Sequence, residues 1–256
     1  MEELFPGKGA TEAARAYADL RLSELGTGDV PYVIANMVST ADGRATLSGR
    51  TEQISSDADR ELFLNLRTQV DAVMAGPGTI GLEGYGPILR SEERRKRREE
   101  LGLNPSVLAV TASRSMELPV QAPLFQDPGS RIVVLTNSDR EPPEVPAQLM
   151  VERIPGEDLD IVAGLTLLRR RHGVRSLLVE GGPTLLASFV AAGALNELFL
   201  TLAPKLVGGA GEIGILEGAA PAVPIDLELQ SVLKEEGFLF LRYRTRAGGA
   251  VPSSGS

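Results

Sequence analysis

An apolar run stops at Glu180 and is followed at once by Gly181, Gly182, Pro183 and Thr184, in the segment LLVEGGPTLLASFV. Proline is preorganised for the first position of a helix, and the first-turn N–H groups of a helix bind anions because they have no acceptor of their own. Two glycines let a diphosphate approach the backbone closely. Gly181, Gly182, Pro183, Thr184 and Leu185 therefore make an anion site that needs no basic side chain. The same Gly-Gly-Pro run also makes an ordinary tight turn, and local sequence leaves both readings open.

A second glycine cluster, AGPGTIGLEGYG, follows the strand-like DAVMAG. Two phosphate-friendly loops would thus leave the carboxyl ends of strands, where open α/β sheets bind ligands. The spacing is not the GxGxxG of Rossmann domains. Asp42-Gly43 closes a third segment, either as a plain hairpin turn or as part of a site.

The chain has 256 residues and 43% hydrophobic content, enough for one large core. Zero cysteines and one histidine exclude thiolate chemistry, cysteine-held zinc and any histidine-based metal cluster, so no metal is expected. A net charge of −8 opposes a sequence-independent grip on nucleic acid. No run of 18 apolar residues and no secretory leader is present, so a cytoplasmic protein without membrane contact is expected.

The elements that must position these loops follow from periodicity. Ala13, Tyr17 and Leu20 at helical spacing, ending in GTGD, read as an added amphipathic helix within an N-terminal extension, residues 1–30. PYVIANMVS reads as a buried first strand, and SSDADRELFLNLRTQV as a helix with Leu62, Phe63, Leu66 and Val70 along one face. Strands DAVMAG, VLAVT (107–111), RIVVLT (131–136) and SLLVE (176–180), with a helix over 159–171, predict an α/β fold with a mainly parallel sheet flanked by helices. Strands near 196–203, 227–233 and 237–244 predict an antiparallel C-terminal edge. One domain over 31–245 and a flexible tail over 246–256 complete the expectation.

NMVSTADGR, LRTQVDAVMAGPGTI, LLVEGGPTLL and LNELFLTLAPKLVGG, in this order and spacing, resemble the successive motifs of the riboflavin-pathway pyrimidine reductases. The likeness runs over about residues 31 to 244. It implies a dihydrofolate reductase-like fold and NADPH-dependent reduction of a phosphoribosylamino-pyrimidine to its ribitylamino product, with hydride passing to the sugar carbon that bears the amine. It also implies a homodimer, with the apolar strand LFLTLA a participant through a sheet edge or nearby surface.

The resemblance carries over residue by residue. It places Gly76, Thr79 and Glu83 beside the cofactor and gives its phosphates to Gly182–Leu185. Glu180 becomes a substrate-facing carboxylate, or, on the bland reading, an exposed strand-end acid. Arg67 and Arg90 become substrate arginines, whose guanidinium forks suit a 5′-phosphate, together with Ser39 and Thr51. Asn36 resembles the asparagine of stand-alone reductases and would orient substrate or nicotinamide, or pair with backbone. Asp42 is assigned to site organisation or proton supply; an acid role at neutral pH needs a raised pKa. Placement after VLAVT makes Thr111, Ser113 and Arg114 candidates for the 2′-phosphate. The chain has Glu83-Gly84-Tyr85-Gly86-Pro87 where bifunctional members have an acidic pair and proline, which leaves the substrate contacts there open.

Two features are set aside. SEERRKRREEL pairs Glu92 with Lys96, Glu93 with Arg97 and Arg95 with Glu99 at four-residue spacing, the pattern of a solvated helix. His172 sits in a basic helical C-terminus before Gly173. Two rival functions stand beside the pyrimidine reductase: dihydrofolate reductase-like activity on a pterin, and a non-catalytic NADP-binding regulatory protein.

Overall fold

The computed structural model describes residues 1–246 apart from 8, 48, 210–212, 219, 220 and 222. Of the expected tail only Arg246 is described, its N–H bonded to the Asp226 carbonyl at 2.9 Å; the AGGAVPSSGS segment lies outside the described residues. The strands are β1 (Glu2–Phe5), β2 (Gly9–Ala10), β3 (Tyr32–Thr40), β4 (Ala72–Met74), β5 (Leu108–Ala112), β6 (Arg131–Thr136), β7 (Gln148–Arg153), β8 (Ser176–Val179), β9 (Glu197–Ala203), β10 (Leu227–Glu235) and β11 (Phe238–Thr245). The helices are α1 (Leu22–Leu25), α2 (Asp57–Gln69), α3 (Pro77–Leu82), α4 (Glu92–Glu100), α5 (Pro123–Gln126), α6 (Ile161–His172) and α7 (Pro183–Ala191).

All strands join one sheet in the order β2-β1-β10-β11-β9-β3-β8-β4-β5-β6-β7. From β9 to β7 every pairing is parallel, and from β9 outward through β11, β10, β1 and β2 every pairing is antiparallel. The mostly parallel sheet with an antiparallel C-terminal side is the architecture expected. Alternate residues of the central strands serve opposite faces. Leu177 and Val179 pack with Leu165, Leu168 and Phe189 of α6 and α7, whereas Leu178 packs with Leu66 of α2 and with Phe125.

Local signals set the helix ends. Ser56 caps α2 by accepting from the Asp59 N–H at 3.1 Å, and Asp160 caps α6 by accepting from Ala163 N–H at 3.0 Å. Gly173 ends α6 in the left-handed conformation, φ 68°.

Three expectations need correction, and three strands were not expected. Residues 13–19 form turns instead of a helix, because α2 side chains take the carbonyls a helix would use: Asn65 Nδ2 donates to the carbonyls of Ala13 and Ala16, both at 2.9 Å, and Gln69 Nε2 to that of Tyr17. Packing is still the result, with Tyr17 edge-on to Phe199 at 5.0 Å between ring centroids. β1, β2 and β7 were not legible: the first two are only four and two residues long, and QLMVER lies beside Pro142, Pro143 and Pro146, which read as loop. β9, the LFLTLA strand, is paired on both sides, so it offers no free edge to another copy. Finally, α4 is not a simple solvated helix. Its internal ion pairs are Arg95–Glu92 at 4.0 Å and Arg97–Glu100 at 2.9 Å, Arg94 reaches Glu61 of α2 at 2.6 Å, and Arg98 is fully buried.

Arg98 explains how α2 ends. Its Nη1 donates to the carbonyls of Arg67, Thr68 and Val70 at 3.2, 3.1 and 2.6 Å, and its Nε to that of Asn104 at 2.7 Å. A cation thereby satisfies carbonyls at the negative end of the helix that carries Arg67.

Candidate active site

The carboxyl ends of β3, β4, β5 and β8 open into a cleft of about 1460 Å³. Both glycine loops meet there. The Gly76 N–H donates to the Gly181 carbonyl at 3.3 Å, joining the start of α3 to the turn before α7. Gly181 and Gly182 have φ of 143° and 83°, values that favour glycine. A Cβ on Gly182 would lie 3.4 Å from Leu185 Cβ and 3.5 Å from Thr79 Oγ1, space an ordinary side chain would fill. Pro183 has no N–H to offer, and the N–H groups of Thr184 and Leu185 belong to the first turn of α7, which lacks a side-chain cap. The donors present therefore fit a diphosphate.

Beside these loops lies a carboxylate held by three donors. Glu180 follows β8 and is buried; Arg67 Nε and Nη2 donate to its Oε1 and Oε2, both at 2.6 Å, and the Tyr85 hydroxyl donates to Oε2 at 3.0 Å. Arg67 Nη1 donates to the Ile88 carbonyl at 3.0 Å, and its guanidinium carbon sits 4.2 Å from the Phe63 ring centroid. Burial works against the Arg67 charge, but Glu180 and Tyr85 more than offset it and its pKa is raised. Burial, then the Glu180 charge, push the Tyr85 phenol well above its ordinary value, so it stays protonated and donates.

The sequence-predicted residues divide cleanly. Asn36, Thr51, Arg67, Gly76, Thr79, Glu83, Arg90, Arg114 and the run Glu180–Leu185 all line the cleft. Thr51 donates to Glu83 Oε1 through both N–H and hydroxyl, each at 3.2 Å, linking an expected substrate contact to an expected cofactor contact. Arg67 is engaged by Glu180 and so is not a free phosphate anchor. Arg90 lies against Gly86, and the guanidinium groups of Arg50, Arg60 and Arg90 have no partner among the described residues.

Four expected residues stay outside the cleft lining. Ser39 is buried and donates to the Thr40 carbonyl at 3.0 Å. Thr111 donates to the Ala75 carbonyl at 2.9 Å and Ser113 to that of Glu117 at 3.2 Å, so both hydroxyls are spent on backbone. Asp42 is exposed and accepts from the Thr40 hydroxyl at 2.6 Å and from Gly208 N–H at 2.7 Å. These bonds lower its pKa to about 2, the opposite of what proton donation at neutral pH requires. It ties two loops together.

Sequence reasoning missed several cleft residues. Arg60 and Phe63 share the cleft-facing side of α2 with the expected Arg67, at positions i, i+3 and i+7; that basic–aromatic spacing was the available signal, obscured because Phe63 also fits the apolar stripe. Asp59 lines the cleft but is buried, accepting from Ser55 and Thr201 hydroxyls at 2.5 Å each, and burial raises its pKa. No short-range pattern marks it. His172 lies away from the cleft, its Nε2 2.9 Å from Glu152 Oε1.

Fold and cleft together define an α/β protein with a cleft at the carboxyl ends of parallel strands, lined by glycine loops suited to a phosphorylated ligand. Residues 31–235 match the RibD C-terminal domain, and the chain belongs to that family of riboflavin-biosynthesis pyrimidine reductases, with its dihydrofolate reductase-like fold. It is similar to the 2,5-diamino-6-ribosylamino-4(3H)-pyrimidinone 5′-phosphate reductase of Archaeoglobus fulgidus, 28% identical over 73% of this chain and 87% of that one. It is 30% identical to the riboflavin biosynthesis protein RibD of Escherichia coli over 73% of this chain, and spans about half (52%) of that longer protein. In structure it resembles a pyrimidine reductase-like protein of Corynebacterium diphtheriae, with TM-score 0.77, 21% identity, and coverage of 92% and 99% of the two chains. Among the described residues no helix is long and apolar enough to cross a membrane.

Proposed function

We propose that this chain reduces a phosphoribosylamino-pyrimidine of riboflavin biosynthesis to its ribitylamino product, using NADPH. The observation that carries the reading is the meeting of two glycine loops beside the buried Glu180–Arg67 pair in one cleft. Gly76, Thr79 and Gly181–Leu185 hold the cofactor's diphosphate, and the cofactor supplies hydride to the sugar carbon that bears the amine. Asn36, half-buried in the cleft wall, orients the reacting groups.

On the substrate side Glu180, kept as an acceptor by Arg67 and Tyr85, takes hydrogen bonds from pyrimidine amino or sugar hydroxyl groups. The unpartnered guanidinium groups of Arg50, Arg60 and Arg90 take the 5′-phosphate in place of Arg67. Copies of the chain pair as a homodimer through surfaces other than β9.

The test follows NADPH absorbance with the deaminated pyrimidine, the non-deaminated pyrimidine and dihydrofolate in separate reactions. Oxidation with one pyrimidine supports the reading and identifies the substrate; oxidation with dihydrofolate alone, or with none of the three, overturns it.

A further inference from the structure

β5 lies next to β4 on the side away from β8, so the cleft continues past the glycine loops to Ala112, Arg114, Leu159 and Ile161. On the reading that those loops hold a dinucleotide's diphosphate, this is the adenosine end, with Leu159 and Ile161 as apolar lining. Thr111 and Ser113 point their hydroxyls at backbone. The N-terminus of α6 is taken by the Asp160 carboxylate. Arg114 is the cation that lines the cleft here, and its Nη1 stands 3.1 Å from Asp158 Oδ1 with both side chains largely exposed.

We propose that Arg114 and Asp158 select the cofactor by reading the 2′ position of its adenosine ribose. An exposed ion pair contributes little net stability, so Arg114 can exchange Asp158 for another anion at small cost. A 2′-phosphate offers several strong acceptors to the guanidinium fork and displaces the single carboxylate. A 2′-hydroxyl cannot compete for Arg114; it donates instead to Asp158, the contact by which acids favour NADH in other α/β sites. Asp158 also opposes the ligand of Arg114, since its charge repels a 2′-phosphate. The chain therefore takes both cofactors and favours NADPH only modestly.

Calorimetric titration of the full chain with NADP⁺, NAD⁺ and 2′,5′-ADP, in the wild type, Arg114→Ala and Asp158→Asn, tests this. Arg114→Ala weakens NADP⁺ and 2′,5′-ADP by about tenfold, the value of a hydrogen bond to a charged group, and leaves NAD⁺ nearly unchanged. Asp158→Asn tightens NADP⁺ and weakens NAD⁺, so the two substitutions move the preference in opposite directions. Both positions are exposed, so a circular dichroism spectrum matching the wild type is expected for each. Binding of both dinucleotides with a ratio that neither substitution alters overturns the role of the pair alone. Failure of the wild type to bind either one overturns the pair together with the dinucleotide reading beneath it.

Discussion

Arg67 and Glu180, 113 positions apart, meet in a bidentate pair with both N–O distances at 2.6 Å, and the carboxylate side chain is wholly buried. Removing one partner strands the other's charge away from water. Arg67→Met and Glu180→Gln are each expected to cost about 3 kcal/mol, with the double variant less destabilised than the sum. Urea unfolding of the four proteins checks this.

Tyr85 adds the third donor to Glu180. Tyr85→Phe keeps the ring and removes the hydroxyl, so stability should fall by about 1 kcal/mol. Specificity for the pyrimidine should fall about tenfold while the KM for NADPH holds. Steady-state kinetics with each substrate varied separates the two effects.

Gly182 stands at φ 83° with Thr79 and Leu185 close by. Gly182→Ala adds strain of about 1–2 kcal/mol and puts a methyl group into the diphosphate path. The expected result is a large rise in the KM for NADPH with a small fall in melting temperature.

Asp42 has its pKa lowered to about 2 by the Thr40 hydroxyl and by backbone N–H groups of the 207–208 loop. A folded-state pKa below the unfolded value gives stability that is present above about pH 4. It is lost as pH falls through about 2. Asp42→Ala should therefore be destabilised at pH 7, and its deficit should shrink below pH 4, as measured by denaturant unfolding across pH. Its rate profile near neutrality should keep the wild-type shape.

Arg98 donates four hydrogen bonds to backbone carbonyls from a fully buried position. Arg98→Met leaves those carbonyls unpaired and should cost about 3 kcal/mol or more. Because three of them end α2, hydrogen exchange should rise first at residues 66–70, which a melting curve of wild type and variant would accompany.

Much of this was legible along the chain. The polar start of α2, the glycine after the basic end of α6 and the strand–glycine–helix order around Gly182 are short-range patterns that the structure repeats, and Leu62, Leu66 and Val70 are buried as their spacing predicts. The N-terminal turns were not legible, since Ala13 and Tyr17 do fit a helix until Asn65 and Gln69 bond their carbonyls. Nor was Arg98, which sits among eight other charged residues within SEERRKRREEL and differs from them only in what lies beneath it.

The sequence by itself determined the parallel α/β architecture, the two glycine loops and the family, because backbone conformation, capping and hydrophobic period depend on neighbours a few residues away. Only the tertiary structure decided which side chains reach the cleft. It gave Arg67 to Glu180, turned Thr111 and Ser113 to backbone, set Asp42 between two loops, and put Arg114 against Asp158. A polar side chain bonds the best partner that folding brings within about 3 Å, and that partner is chosen by long-range packing.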